Sequence, residues 1–165
     1  MDFTIYPLES QDGSRLLEIS DVLSFLKGDY PNFRDWFAKT VMPEICTPRR
    51  HIYVAAPATR QNTLAGIMIL KNSWEEKKIC TLFVDKAYRS RQLGTKLLDR
   101  AIETLGTERP VITVSAIHRA EFEGLFQKFG FAPYQGYSGY YREGVTEYAY
   151  NGPIEPYMQG CVLSA

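Results

Sequence analysis

The stretch LFVDKAYRSRQLGTKLL, residues 82–98, decides the fold of this protein. It begins as an apolar strand that ends at Val84, continues through a short polar connection that carries Tyr88 and Arg89, and then becomes helical. The first turn of a helix presents backbone N–H groups without partners and the positive end of the helix dipole. Such a turn binds phosphate groups readily. The stretch therefore predicts a diphosphate site where a strand passes into a helix.

Two arginines and a glycine strengthen this prediction. Arg89 and Arg91 add positive charge near the start of the helix, and Gly94 lets the backbone approach a ligand without a side chain in the way. The alternative interpretation is that both arginines are solvated and that Gly94 only relieves crowding around the helix. The stretch alone leaves both interpretations open.

The hydrophobic pattern on either side predicts one domain over residues 1–150 and an irregular C-terminal tail over 151–165. Strands separated by short polar stretches are expected to be antiparallel, and strands separated by a helix parallel. The order predicts a mixed α+β fold with a central sheet of about six to seven strands, flanked by about four helices. The predicted strands are 3–6, 51–56, 64–70, 77–84, 111–115, a strand from 131 onward and 146–150, and the predicted helices are 21–27, 31–41, 91–105 and 121–129.

The composition excludes several classes of protein. The 165 residues are 45% hydrophobic and carry a net charge of zero, which indicates a packed core and argues against a general nucleic-acid binder. The sequence shows no apolar run long enough to span a membrane and no secretory leader. We therefore expect a cytoplasmic protein. Cys46, Cys80 and Cys161 are widely spaced, which suits a reducing compartment and predicts no metal site. Cys46 and Cys80 lie among apolar residues and are expected to be buried thiols.

The stretch resembles the phosphate-binding motif of the GNAT superfamily, the Gcn5-related N-acetyltransferases. That motif is Arg or Gln, two residues, Gly, one residue, then Gly or Ala, and Arg89, Gln92 and Gly94 occupy these positions. A second segment, LFQKFGF at residues 125–131, is similar to the last helix and following strand of the superfamily. The two motifs occur in the family order, and the resemblance covers residues 50–150.

The resemblance implies an N-acetyltransferase that uses acetyl-CoA (coenzyme A) as donor and an amine as acceptor, with the sheet splayed at the cofactor cleft. Backbone groups of the third long strand would pair with the pantetheine arm, and the following amides would hold the pyrophosphate. Without the resemblance, the strand residues are explained by a core strand alone. The implied cofactor-binding residues are Leu82, Phe83, Val84, Arg89, Ser90, Arg91, Gln92, Leu93, Gly94, Thr95, Arg119 and Phe126.

Several of these positions depart from the family pattern. Gln92 replaces the middle glycine, where its side chain would either crowd the pyrophosphate or donate a hydrogen bond to it. Arg119 replaces an asparagine and would either reach a phosphate or face water. Phe126 replaces the tyrosine that commonly acts as general acid, and phenylalanine has no proton to give. The nearest substitutes are the catalytic candidates His118, Ser115 and Tyr134, followed by Tyr137, Tyr140 and Tyr141; the alternative is an inert histidine and tyrosines that only line the sheet or the pocket.

The strand 77–84 also lacks the carboxylate that some family members use as general base. An α-amino group, with a pKa near ~8, needs less help to lose its proton than a lysine side chain near ~10.4. This favours an α-amine or small-molecule amine as acceptor. Segments 29–37 and 136–148 combine aromatic and acidic residues and are expected to recognise the acceptor, although Trp36 and Phe37 are equally explained as core residues.

Two other functions are compatible with the resemblance. One is a toxin-type acetyltransferase that acts on aminoacyl-tRNA, for which a basic surface is needed. The other is a catalytically inactive module that binds acyl-CoA, which the changes at Gln92 and Phe126 would explain. A homodimer is a further hypothesis. The basic surface of the first alternative would comprise Arg49, Arg50, Arg60, Lys77, Lys78 and Arg119.

Overall fold

A computed structural model describes residues 1–154 of the chain. Its centre is one seven-stranded sheet with the spatial order β1-β2-β3-β4-β5-β7-β6. The central strands β3 and β4 are buried over several consecutive residues, which indicates that the sheet is covered on both faces. The strands are β1 Phe3–Pro7, β2 Arg50–Pro57, β3 Gly66–Asn72, β4 Lys77–Val84, β5 Val111–Ser115, β6 Pro133–Ser138 and β7 Thr146–Tyr150.

The first four strands form an antiparallel meander, and β4 and β5 form the one parallel pair of the described sheet. Between β4 and β5 the chain passes through the helix α4, Leu93–Leu105, which explains their parallel direction. Strands β5, β7 and β6 then continue the sheet in antiparallel fashion. The mixed sheet and the antiparallel β2–β3 pair that the sequence predicts are confirmed.

Two apolar clusters cover the two faces of the sheet. One joins the sheet to α4 and to α5, Arg119–Lys128, and includes Leu97 and Phe126. The other joins the opposite face to the N-terminal helical region, and includes Leu16 and Trp36. The sheet therefore lies between two helical layers, as expected for a mixed α+β fold.

The N-terminal helices differ most from prediction. Helix α1, Gly13–Val22, begins eight residues before the predicted start at residue 21, and a 3₁₀ turn, Leu23–Gly28, follows it. The buried stripe is Leu16, Ile19 and Leu23, whereas Phe25, within the predicted helix 21–27, is 56% exposed. The helical spacing of that earlier stripe is the signal that was missed.

The second predicted helix, 31–41, is one helical run over 33–44 in the structure. It consists of α2, Phe33–Trp36, a π-helical turn, Phe37–Val41, and α3, Met42–Glu44. Pro31, the first residue of the predicted helix, lies before the observed one. Trp36 and Phe37 are 1% and 3% exposed, so the core interpretation of these two side chains is the correct one.

The cysteine prediction is half right. Cys80 on β4 is buried, but Cys46 is exposed, because it follows the end of α3 in a turn where its Sγ contacts the carbonyl of Pro43. Cys161 lies outside the described residues, as does most of the predicted tail. Within the described part of that tail, the Asn151 side chain binds the carbonyl of Pro110, and Ile154 is buried. The described residues contain no helix that combines the length and apolar character of a membrane span.

Candidate active site

A cavity of about 720 Å³ lies where β4 and β5 separate. The two strands pair at only two positions, Lys78 with Val111 and Ile79 with Ile112, both near the beginning of the strands. Beyond Ile79 they diverge, and the cavity fills the opening between them. Its volume is within the range of roughly 300–1,000 Å³ that small-molecule sites occupy.

One end of this cavity is formed by the loop 89–95 and the start of α4. Ser90 and Gln92 have φ values of 60° and 63°, with a negative φ at Arg91 between them. Such alternation turns successive N–H groups toward one side and forms an anion-binding nest. The helical ladder begins at Lys96, whose N–H donates to the Gln92 carbonyl at 3.1 Å, so the amides of residues 93–95 precede it. This cradle of backbone donors fits a diphosphate.

The two arginines of the loop are placed differently. Arg89 lines the cavity, donates from Nε to the Val84 carbonyl at 3.2 Å, and approaches Glu121 on α5 at 3.4 Å. Arg91 points elsewhere, with Nη1 3.9 Å from the sulfur of Met1. Arg89 is therefore the arginine of this loop that an anion in the cavity would meet.

Gly94 lies where α4 and α5 come together beside the cavity. A Cβ built on it would lie 3.3 Å from Cδ2 of Leu125, which also lines the cavity. Because Gly94 has no side chain, α4 and α5 approach closely here and no Cβ covers the nearby backbone donors.

Gln92 occupies a backbone conformation that favours glycine. We expect Gln92→Gly to raise the free energy of unfolding by about 0.5–1 kcal/mol, because a left-handed residue with a Cβ is strained by more than glycine loses in chain entropy. Urea denaturation measures the change. The matched control is Gln127→Gly in α5, which should lower the free energy of unfolding by about 1 kcal/mol. Equal destabilisation by both changes would contradict the strain at Gln92.

The middle of the cavity carries Ser115 and His118. Ser115 ends β5, is 2% exposed, and accepts a hydrogen bond at Oγ from the Ile117 amide at 3.3 Å. His118 lies between two carboxylates, with Nδ1 2.9 Å from Glu121 and Nε2 3.0 Å from Asp29. The hydrogen bond to Glu121, with Asp29 adding to it, raises the pKa of the imidazole above its ordinary value. Both ring nitrogens are therefore engaged, and the cationic form is favoured.

The other end of the cavity is covered by the N-terminal helical region. Phe25 packs on Phe83 of β4 with ring centroids 5.6 Å apart. Asp29 and Tyr30 follow, and both line the cavity. The Tyr30 hydroxyl donates to Oε1 of Glu147 on β7 at 3.0 Å. Residues 25–30 thus bridge the opening of the sheet from β4 to β7.

Most of the predicted site residues line this one cavity. Tyr134, predicted as catalytic, instead lies 56% exposed on β6. Arg119, expected either to reach a phosphate or to face water, stacks over Tyr148 at 4.0 Å, and Arg91 lies beside Met1. Neither arginine lines the cavity. The predicted residues that line the cavity are Leu82, Phe83, Val84, Arg89, Ser90, Gln92, Leu93, Gly94, Thr95, Ser115, His118 and Phe126.

Sequence reasoning did not single out Asp29, Tyr30, Thr113 or Glu147. Asp29 and Tyr30 begin the predicted acceptor segment 29–37, and Glu147 lies in the other predicted segment, 136–148. The aromatic and acidic composition thus indicated these segments but not the individual residues. The structure argues against the basic surface suggested for binding aminoacyl-tRNA, because two of its residues are buried. Arg50 and Lys78 are each 3% exposed, Arg50 beside Glu44 at 2.7 Å.

The chain matches the family model described as the acetyltransferase (GNAT) domain over residues 35–150. No curated protein sequence matches it significantly.

Solved structures resemble it throughout the fold. A GNAT-family protein from Desulfovibrio desulfuricans has a TM-score of 0.69 at 15% identity, covering 90% of this chain and 97% of that one. NAA60 from Arabidopsis thaliana, solved with acetyl-CoA, has a TM-score of 0.66 at 15% identity, with coverage of 90% and 97%. A spermidine N-acetyltransferase from Vibrio cholerae, described as dodecameric, has a TM-score of 0.61 at 15% identity, with coverage of 90% and 91%.

Proposed function

The chain belongs to the GNAT acetyltransferase family, and on this basis we propose that it transfers the acetyl group of acetyl-CoA directly to a primary amine bound beside the donor. The observation that carries the proposal is the continuity of one cavity, which runs from the phosphate cradle at 89–95 to Asp29 and Tyr30 at the opposite end. Two substrates held in one cavity can react without a covalent enzyme intermediate. Positioning them together supplies much of the acceleration.

The donor would enter along β4. The backbone of Leu82, Phe83 and Val84 would pair with the pantetheine arm, and the amides of the loop 89–95 would hold the diphosphate, with Arg89 adding charge. When bound, acetyl-CoA supplies an activated acyl group as a thioester. A β4 amide near Phe83 or Val84 would stabilise the charge that develops on the acyl oxygen during attack.

The acceptor would occupy the end of the cavity formed by residues 25–30. The Asp29 carboxylate, together with the hydroxyl of Tyr30, gives this end acceptors of hydrogen bonds that suit a cationic amine. Two relatives of the same fold point the same way. Spermidine is the substrate in the name of the Vibrio cholerae enzyme, and streptothricin in that of a Bacillus anthracis enzyme solved with acetyl-CoA.

A direct experiment combines calorimetry with a panel of amines. We expect the purified chain to bind acetyl-CoA, and to release free thiol when small primary amines, α-amino compounds or polyamines are added. Mass spectrometry should show one acetyl group added to the nitrogen of at least one of them. α-Amines should react faster than lysine side chains, because less free energy is needed to remove their proton.

Binding of acetyl-CoA without transfer to any amine would contradict the proposal and favour a module that only binds acyl-CoA. Aminoacyl-tRNA belongs in the same panel, and its acetylation in preference to small amines would favour the toxin-type function instead. Acetylation of the protein itself, followed by transfer to the amine, would contradict direct attack.

A further inference from the structure

A buried carboxylate lies directly behind the acceptor end of the cavity. Glu147 is 3% exposed and lies on β7, between β5 and the edge strand β6. Polar groups from three other parts of the fold face it: the Tyr30 hydroxyl at 3.0 Å, the hydroxyl of Thr113 on β5, and the charge of Lys78 on β4, whose Nζ is 3.4 Å from Tyr141. A buried carboxylate held in this way costs the fold free energy, which suggests that it serves the reaction.

Tyr30 connects this carboxylate to the cavity. Tyr30 lines the cavity, and its ring packs edge-on against Tyr141 with centroids 5.0 Å apart, so the hydroxyl is held in one place. A tyrosine hydroxyl donates one hydrogen bond and can also accept. Tyr30 donates to Glu147, and its oxygen therefore remains able to accept a proton from a group in the cavity.

We propose that Tyr30 and Glu147 form a proton relay that deprotonates the acceptor amine: the ammonium gives a proton to Oη of Tyr30 as Tyr30 gives its own proton to Oε1 of Glu147. The inference rests on the proposed function, since it needs an amine beside the thioester. Tyr30 is the residue that touches the substrate, and Glu147 acts through it. The pair supplies the base that β4 lacks.

The step is balanced. One N–H bond of the ammonium breaks as a new O–H bond forms on Tyr30. The original O–H bond of Tyr30 breaks as its proton passes to Glu147, which becomes a neutral acid. The free amine then forms the N–C bond while the C–S bond breaks, and the second proton leaving the nitrogen goes to the departing sulfur. Glu147 releases its proton to water before the next turnover, so one proton is released for each acetyl group transferred.

The electrostatics of the pair are consistent with this order of events. Burial raises the pKa of the Glu147 carboxyl, and the charge of Asp29 adds to this, against the opposing effects of Thr113, Tyr30 and Lys78. The carboxylate is therefore a stronger base than an exposed glutamate. Burial and the nearby carboxylate raise the pKa of the Tyr30 phenol far above its ordinary range. Tyr30 therefore starts and ends neutral, as a concerted relay requires.

His118 is the competing base in the cavity, and its surroundings disfavour it. Both of its nitrogens face carboxylates, Glu121 and Asp29, and the latter also lies 3.6 Å from Arg142. A base must offer a free lone pair to the substrate. A histidine whose two ring nitrogens both bond carboxylates has none to offer, whereas Tyr30 Oη does.

The test is Tyr30→Phe, which removes only the hydroxyl, beside Tyr53→Phe as a matched control. Tyr53 is also partly buried, and its hydroxyl bonds Thr104 at 2.9 Å, away from the cavity. With an alkylamine acceptor at neutral pH, Tyr30→Phe should lower kcat/KM about a hundredfold, the ordinary contribution of a general base. Tyr53→Phe should leave it unchanged. An alkoxyamine acceptor, which is already unprotonated at neutral pH, should react at a nearly normal rate with Tyr30→Phe.

The pH profile separates the relay from a structural role. In the wild type, kcat/KM should rise as pH increases through the pKa of Glu147, since the carboxylate must be ionised to accept the proton. In Tyr30→Phe and in Glu147→Gln, the rise should move to the pKa of the free amine. Glu76→Gln is the control for the second variant, because Glu76 pairs with Lys71 at 2.9 Å outside the cavity.

A further readout does not depend on turnover. In carboxyl NMR titrations, the signal that disappears in Glu147→Gln should titrate above the ordinary glutamate pKa, and Tyr30→Phe should raise its pKa further, because a hydrogen bond to the charged form is lost. Calorimetry should show unchanged affinity of both variants for acetyl-CoA.

The possible failures are distinguishable. If the wild type acetylates alkylamines but Tyr30→Phe keeps its rate and pH profile, the relay is wrong and the proposed function stands. A uniform rate loss with both the alkylamine and the alkoxyamine, at an unchanged pH profile, would also overturn the relay. If the wild type binds acetyl-CoA but acetylates no amine, the proposed function fails and the relay fails with it.

Discussion

Replacing Gly94 by leucine is expected to lower the affinity for acetyl-CoA at least a hundredfold, a loss of about 2.7 kcal/mol of binding free energy. Gly94 lies in the first turn of α4, among the amides that precede the helical ladder. A Cβ there already lies 3.3 Å from Leu125, so a larger side chain must turn toward the cavity or push α5 away. Either movement blocks or distorts the cradle for the diphosphate. Titration calorimetry with acetyl-CoA measures the loss.

The matched control for this change is Gly124→Leu in α5. Gly124 is also a helical glycine, but it is exposed, and a Cβ built on it meets no atom within 4 Å. This variant should bind acetyl-CoA as the wild type does. Circular dichroism and thermal unfolding of both variants show whether the fold is retained. If a folded Gly94→Leu protein keeps its affinity, the diphosphate is not held at the start of α4.

Replacing Trp36 by alanine is expected to lower the free energy of unfolding by about 3–5 kcal/mol, the usual effect of removing a large aromatic side chain from a core. Trp36 is 1% exposed and packs against Phe33 with ring centroids 5.6 Å apart. Its ring also lies 5.7 Å from the guanidinium of Arg50, which is itself buried and paired with Glu44. The substitution thus leaves a cavity and uncovers a buried charge. Urea denaturation of the purified variant measures the change.

The second tryptophan of the chain provides the control. Trp74, in the turn between β3 and β4, is 96% exposed, and Trp74→Ala should change the free energy of unfolding by less than about 0.5 kcal/mol. Similar destabilisation by the two substitutions would mean that the N-terminal helical layer does not pack on the sheet as described.

The strands and the two later helices were predictable because their signals are local. The spacing of Leu93, Leu97 and Leu98 specifies a helix, and Gly106, with φ of 65°, ends it. The short polar stretch between β2 and β3 indicates the antiparallel pair. The N-terminal helices were less predictable, because an apolar residue such as Phe25 packs on Phe83 at the cavity and not in the core. The apolar character of a side chain does not indicate which surface it will pack on.

The candidate site also contains parts that the sequence could predict and parts that it could not. The cradle of backbone donors is formed by one continuous segment, so residues 89–95 could be proposed as a phosphate site from the chain alone, with Gln92 where the family motif has glycine. Arg119 and Tyr134 could not be placed, because their directions depend on Tyr148 and on the outer strand β6. The same holds for Cys46, whose apolar neighbours predicted burial that the turn after α3 prevents.

By itself, the sequence determined the mixed sheet, the helices that flank the cleft, and the position of the loop 89–95, which we propose as the diphosphate site. Each of these depends on the spacing of neighbouring residues, which backbone geometry converts directly into a helix, a strand or a turn. Only the tertiary structure brought Tyr30 and Glu147, 117 positions apart, to a distance of 3.0 Å and buried the carboxylate behind the cavity. That contact depends on the order of β5, β7 and β6 and on the path of residues 25–30 over the open sheet, and no local pattern encodes it.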